Sequence, residues 1–201
     1  WFSDAVERMG ADVMRWIYAS QNITTNLRFG YGIADDVRRK FLTLWNTYSF
    51  FVIYAEIDKF DPTKVNIDKK DLTPMDVWIL AKLNRLIQKA DDDMQKYNVS
   101  DVTKGVEEFV DDLSNWYVRR SRRRFWKSEN DRDKLSAYYT LYNCLVTITK
   151  IIAPVLPFMA EEIYQNLVVS VNKDAPESVH LCDFPEPDPY FLKPGFTDEI
   201  D

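Results

Sequence analysis

The residues best suited to chemistry in this chain fall in one run, Asn115-Trp116-Tyr117-Val118-Arg119-Arg120-Ser121-Arg122-Arg123-Arg124-Phe125-Trp126. It places five arginines and four aromatic rings in twelve positions and contains no acid. The whole chain carries a formal charge of -6, yet residues 115–127 carry +6, which leaves -12 for the remainder. A guanidinium is a flat fork of donors that matches two phosphate oxygens at once, and its face, like that of an indole, stacks on a base. This composition points to a surface that grips RNA. Its candidate contacts are Trp116, Arg119, Arg120, Arg122, Arg123, Arg124, Trp126 and Lys127.

Other chemistries find few residues to work with. The only close glycine pair, Gly30-Tyr31-Gly32, lacks a third glycine or a following Lys-Ser/Thr, so it reads as a turn rather than a phosphate cradle. Cys144 and Cys182 have neither CxxC nor Cys/His spacing, and Cys144 falls in an apolar helical pattern that suits a buried thiol. The single histidine, His180, offers no zinc set and no Cys/His dyad. No signal peptide and no membrane-length apolar stretch is visible, so a cytoplasmic protein is expected. The sequons at Asn22 and Asn98 then read as chance matches. A chain that starts on Trp1 reads as an excised piece of a longer one.

Positioning the basic run falls to helices. Hydrophobic residues make up 46% of the chain, enough for a packed core, while only five glycines argue against a fold of many tight turns. Val13, Met14, Trp16 and Ile17 predict a helix over residues 11–20. Val37, Phe41, Leu44, Trp45, Tyr48, Phe51, Val52 and Ala55 predict a long one over 33–59, stopped by Asp61-Pro62. Thr73-Pro74 is a cap followed by a first-turn proline, and it opens a third helix. Ser100 is the expected cap of a fourth, whose stripe is Val102, Val106, Phe109, Val110, Leu113 and Tyr117. Residues 128–131 should form a turn and cap before a fifth helix over 132–153. Pro154 and Pro157 break that helix and restart a sixth over 158–169. Residues 178–181 resemble a short edge strand. The fold class is therefore all-α, an antiparallel bundle of about five to six helices.

At 100° per residue the stripe of the fourth helix, carried on to Trp126, would take in Arg120 and Arg124. Unpaired guanidiniums do not sit in a core. Either the helix outruns the bundle, or carboxylates such as Glu161, Glu162, Asp111 or Asp112 meet those two arginines. Trp116, Arg119, Arg123 and Trp126 fall on one adjoining face, a ridge of alternating indole and guanidinium that suits unstacked bases and phosphates. The acidic clusters at 91–93, 107–108 and 111–112 read as solvated helix faces that would repel nucleic acid and confine binding to one side.

The residues from Asp112 to Trp126 resemble the arginine-rich helix of isoleucyl-tRNA synthetases, in the branch shared by eukaryotes and some bacteria. Gly10-Ala11-Asp12-Val13-Met14-Arg15-Trp16 is similar to the helix after the KMSKS loop of class I synthetases. Arg38, Lys40 and Phe41, with Thr43-Leu44-Trp45-Asn46-Thr47-Tyr48-Ser49-Phe50-Phe51, resemble the next family block. Ile152-Ala153-Pro154-Val155-Leu156-Pro157-Phe158-Met159-Ala160-Glu161-Glu162-Ile163-Tyr164 resembles a late block shared with the valine, leucine and methionine enzymes. Ser178-Val179-His180-Leu181 with Phe184-Pro185 resembles the segment that closes the domain.

The resemblance implies a helical anticodon-binding domain over residues 31–201, preceded in 1–30 by the end of a catalytic or stem-contact region. It implies an isoleucine-accepting tRNA as partner, with no DNA, no membrane and a monomeric state. The parent enzyme would use ATP and Mg to activate isoleucine. Neither HIGH nor KMSKS occurs here, so no catalytic residue, cofactor site or zinc ligand is assigned, and the piece alone should catalyse nothing. The corresponding domain of a valyl- or leucyl-tRNA synthetase is the alternative within the class. A helical module that anchors a protein partner through tyrosine and tryptophan is the alternative outside it.

Overall fold

Over residues 2–22, 24–129 and 131–197, the part described by the computed structural model, helix follows helix and no strand occurs. The short helices α1 (Phe2–Met9) and α2 (Ala11–Ala19) meet at Gly10. Its φ of 85° lies in the left-handed region that glycine tolerates without strain. Nothing in the sequence pattern had announced α1, because only Ala5 and Met9 of its eight residues are buried. Helix α2 turns Val13, Met14, Trp16 and Ile17 inward, as its spacing predicts.

The long helix α3 (Tyr31–Asp58) buries Val37, Phe41, Leu44, Tyr48 and Phe51 at steps of four and three. It ends where the spacing predicts, with Lys59 as its C-cap in the left-handed conformation, just before Asp61-Pro62. Helix α4 (Pro74–Gln95) starts as read, with a reciprocal capping box between Thr73 and Asp76 and proline in the first turn. Helix α5 (Val99–Asp111) begins one residue before Ser100, so Ser100 is not its cap; the Ser100 carbonyl instead accepts the Thr103 hydroxyl.

Beyond α5 the chain stays helical in a wider winding, a π-helical segment over Asp112–Val118, and then narrows again into α6 (Arg119–Trp126). Together these make one rod on the order of 40 Å long. Helix α7 (Arg132–Ile152) is capped by Asp131, whose carboxylate accepts the Lys134 N–H at 2.8 Å; Asn130 of the expected turn lies outside the described residues. Helix α8 (Pro157–Tyr164) runs on into a second π-helical turn, Gln165–Val169.

Residues 179–181 form a single 3-10 turn, not the edge strand that the pattern resembled. The reason is local. Glu161 on α8 accepts both the Ser178 hydroxyl at 2.7 Å and the Val179 N–H at 3.1 Å, and Ser178 accepts the His180 N–H. Side chains thus take the bonds a sheet neighbour would have taken.

Helix α7 is the hub. Its Ala137, Leu141, Cys144, Leu145, Ile148 and Ile151 have no exposed surface, and it packs on α3, α4, α6 and α8. Burial pushes the Cys144 thiol well above its ordinary range, so it is inert, as a buried small hydrophobe should be. Helix α4 lies between α5 and α7, while α2 packs on α3, α5 and α8. Phe125 of α6 ties the basic end of the rod to this core, edge-on to Phe50 at 5.2 Å and to Tyr138 at 5.0 Å. Phe125→Ala should therefore lower stability by about 3–5 kcal/mol in urea titration. A loss under about 1 kcal/mol would mean that α6 is not anchored by that ring.

Candidate nucleic-acid interface

One row of buried residues in the rod recurs every four positions, at Phe109, Leu113, Tyr117, Ser121 and Phe125, with Val110 and Val118 buried beside it. In a uniform α-helix such a series would drift by roughly 160° around the axis and leave the core. The π-helical segment removes much of that drift, because its i→i+5 bonds spend more residues on each turn. The inward stripe therefore passes to Ser121 and Phe125, and not to Arg120 and Arg124 as a constant 100° step requires. Both arginines lie beyond the π-helical segment, about 40° apart on regular helix, and Arg124 alone of the two finds buried acceptors.

Arg120 points to solvent, with its guanidinium carbon 4.5 Å above the ring of Trp116. Arg124 turns inward. Its side chain is 13% exposed and forks onto Asp76, which has no exposed surface, through Nη1–Oδ1 at 2.7 Å and Nη2–Oδ2 at 2.8 Å. Nη2 also donates to the Asp133 carbonyl at 2.9 Å and to Ser136 Oγ at 2.8 Å. Nε lies 2.8 Å from Asp133 Oδ1, close enough for an ion pair, although the N–H itself is not aimed at that oxygen. Arg124 thus leaves the set of open candidates for RNA contact. Its partners are not those the sequence offered: Asp112 is held by Lys82, Asp111 by Asn115, Glu161 by Ser178 and Gln165, and Glu162 by Asn166.

Asp76 collects donors from three elements. Tyr117 donates to Oδ1 at 2.6 Å, while the Thr73 N–H and hydroxyl donate to Oδ2 at 2.9 and 2.8 Å. Burial works to raise the Asp76 carboxyl, but the Arg124 guanidinium, the Tyr117 hydroxyl and the Thr73 amide outweigh it and hold it below the usual range. Burial likewise pulls Arg124 down, and Asp76 more than reverses that. Burial, followed by the adjacent Asp76 charge, pushes the Tyr117 phenol far up. All three groups keep their ordinary charge state. Thr73-Pro74 was visible in the sequence as a helix start; that Asp76 closes the cap and also receives Arg124, 48 residues on, was not.

What remains outside is a ridge. Trp116 is 41% exposed and Trp126 57% exposed. Arg119, Arg120, Arg122 and Arg123 are exposed along the same helix, and Arg119, Arg122 and Arg123 make no ion pair with any described residue. Lys127 differs, since its ammonium is held by Asp133 at 2.6 Å and Asp131 at 3.3 Å. The acidic clusters are more engaged than solvated faces would be. Glu107 accepts the Trp16 indole N–H at 2.9 Å and pairs with Lys40 at 2.6 Å, and Asp93 pairs with Lys89. Among the described residues no group of His, Cys, Asp and Glu could hold a metal ion, and no helix is long and apolar enough to cross a membrane.

The two arginines should separate in a stability assay. Arg124→Ala leaves the buried Asp76 carboxylate without its cation and should cost about 3–5 kcal/mol, whereas Arg120→Ala should stay within about 0.5 kcal/mol. Equal losses in urea titration would place Arg120 in the core as well. Acid should act through the same carboxylate. Because its folded pKa is lowered, its contribution is complete above the ordinary carboxylate value near 4 and is lost as pH falls through the lower folded value. The melting midpoint of the unmodified chain should drop on acidification below about pH 4 more steeply than that of Asp76→Asn. Parallel curves would show that Asp76 is not a source of the acid sensitivity.

Comparison with known proteins places this geometry. Residues 76–201 match the family model described as the anticodon-binding domain of tRNA ligase. The isoleucine–tRNA ligase of Clostridium novyi (strain NT) is 50% identical over 190 residues, which is 92% of this chain and 18% of that protein. That of Thermus thermophilus is 46% identical over 190 residues, again 92% of this chain and 18% of the relative. The protein of the same name from Methanothrix thermoacetophila is 44% identical over 184 residues, 90% and 18% of the two chains. The chain thus spans about a fifth of the length of the curated relatives it matches. With the family model covering more than half of it, the chain belongs to the anticodon-binding domains of tRNA ligases.

Proposed function

We propose that this chain is the anticodon-binding part of an isoleucine–tRNA ligase and that it holds an isoleucine-accepting tRNA on the ridge of α6. The observation that carries the reading is the set of guanidiniums that no described residue pairs, Arg119, Arg122 and Arg123, standing between exposed indoles on a chain whose other residues are strongly negative. Such a field draws a polyanion to one strip and repels it elsewhere. Arg119 and Arg123 are one turn apart, about 6 Å along the axis, so both can reach the backbone of one strand. Trp116 and Trp126 flank them, both partly exposed and so within reach of an unstacked base. Arg120 adds charge beside the Trp116 ring. Lys127 would join only by exchanging Asp131 and Asp133 for phosphate.

The specificity for isoleucine rests on the relatives, which share 44% to 50% of their residues with this chain and are all named for that amino acid. In this reading residues 1–30 lead in from the catalytic or stem-contact part and 31–201 form the binding domain, which acts as a monomer in the cytoplasm. ATP- and Mg-dependent activation of isoleucine would belong to the other four-fifths of the longer protein, and no residue of this chain is assigned to it.

Filter binding of an isoleucine-accepting tRNA transcript at several salt concentrations tests the proposal. Affinity should fall steeply as salt rises, because each neutralised phosphate releases its counterions. Arg119→Ala with Arg123→Ala should make the plot of log affinity against log salt shallower by about two, while helix content by circular dichroism is unchanged. Salt-independent binding would instead favour a protein-interaction module, and an unaltered slope in the double variant would remove the ridge as the contact.

A further inference from the structure

Helix α6 has little to hold it. It is eight residues long and buries only Ser121 and Phe125 besides the partly covered Arg124. The continuous rod fixes its start at the buried Val118, but beyond that residue Phe125 is its one buried ring, and a single ring permits the last two turns to twist about the axis. Arg124 does not. Its flat fork meets both oxygens of Asp76 at the start of α4, and its other contacts are to Asp133 and Ser136 in the first turns of α7. A bidentate pair has one plane, so any roll of α6 breaks it. The end of the helix is fixed in the same way: the buried Lys134 ammonium donates to the Lys127 carbonyl at 2.7 Å and pairs with Asp58 at 2.6 Å. A roll by one residue, about 100°, would carry guanidiniums of the ridge toward the bundle and present Ser121 in their place.

We propose that Asp76 is a positioning residue for RNA contact. Acting through Arg124 and Tyr117, it sets the roll of α6 and thereby decides which guanidiniums stand free. The inference rests on the tRNA-binding reading above and adds to it a group that cannot itself touch RNA, since Asp76 has no exposed surface. A buried ion pair is a weak source of stability, because well-packed apolar groups of similar volume often do as well. What apolar groups do not supply is direction. This network therefore serves orientation, and its two roles can be measured apart.

The test is a chain in which the network is replaced by apolar groups, Asp76→Leu with Tyr117→Phe and Arg124→Met, next to the unmodified chain and the Arg119→Ala, Arg123→Ala chain. The apolar variant should melt within about 5 °C of the unmodified chain. Its tRNA binding should nevertheless weaken, with a salt slope shallower by about two. Full affinity and an unaltered slope would overturn the proposal and leave the network purely structural. Arg124→Lys, which keeps the charge and loses the fork, is read in parallel by the same two outcomes and decides the matter if the triple variant does not fold. Salt-dependent binding by the unmodified chain, lost in the ridge variant, keeps a failure of the positioning idea distinct from a failure of the tRNA reading.

Discussion

The bidentate pair between Asp76 and Arg124 is the constraint on which the arrangement of this domain turns. It joins the first turn of α4 to α6, and through Asp133 and Ser136 it reaches α7 as well. Asp76 closes a capping box, accepts a phenol and neutralises a guanidinium with a single carboxylate. A charged group with no exposed surface survives only where each of its lone pairs is used, and here they are. The same carboxylate that starts α4 is the fixed point from which α6 is oriented.

Charge is sorted by that fixed point. Of the basic residues gathered in the run, Arg124 is turned inward and Lys127 is held by two aspartates, while Arg119, Arg122 and Arg123 stay in solvent beside two indoles, paired by no described residue. The acids elsewhere are partly spent on holding helices together, as Glu107 does between α2, α3 and α5 and Asp112 between the rod and α4. The run thus forms an open cationic strip on a chain that is otherwise negative, which is the electrostatic form expected of a polyanion-binding face.

Winding provides the remaining element. A repeat of four is too long for an α-helix to keep on one face, and the π-helical segment over Asp112–Val118 absorbs the excess. The stripe that leaves Leu113 and Tyr117 can then continue through Ser121 to Phe125, and the arginines between them divide into one that faces in and four that face out. The second π-helical turn, Gln165–Val169, extends α8 in the same manner and keeps Leu167 and Val168 in the core.

The all-helical class and the main helices were legible in the chain because apolar spacing and caps are local. The stripes of α2, α3 and α5 and the Thr73-Pro74 start of α4 needed no knowledge of neighbours. The existence of a cationic, indole-bearing run was equally plain, since composition alone defines it. The helix α1 and the turn at 179–181 were not, because α1 buries only two of its residues and the turn is set by Glu161, 18 residues away. Above all, sequence periodicity with a constant 100° step put Arg120 and Arg124 on the same footing. Only the folded packing separates them, because the carboxylate that receives Arg124 comes from 48 residues away, while Arg120 lies over Trp116 in solvent.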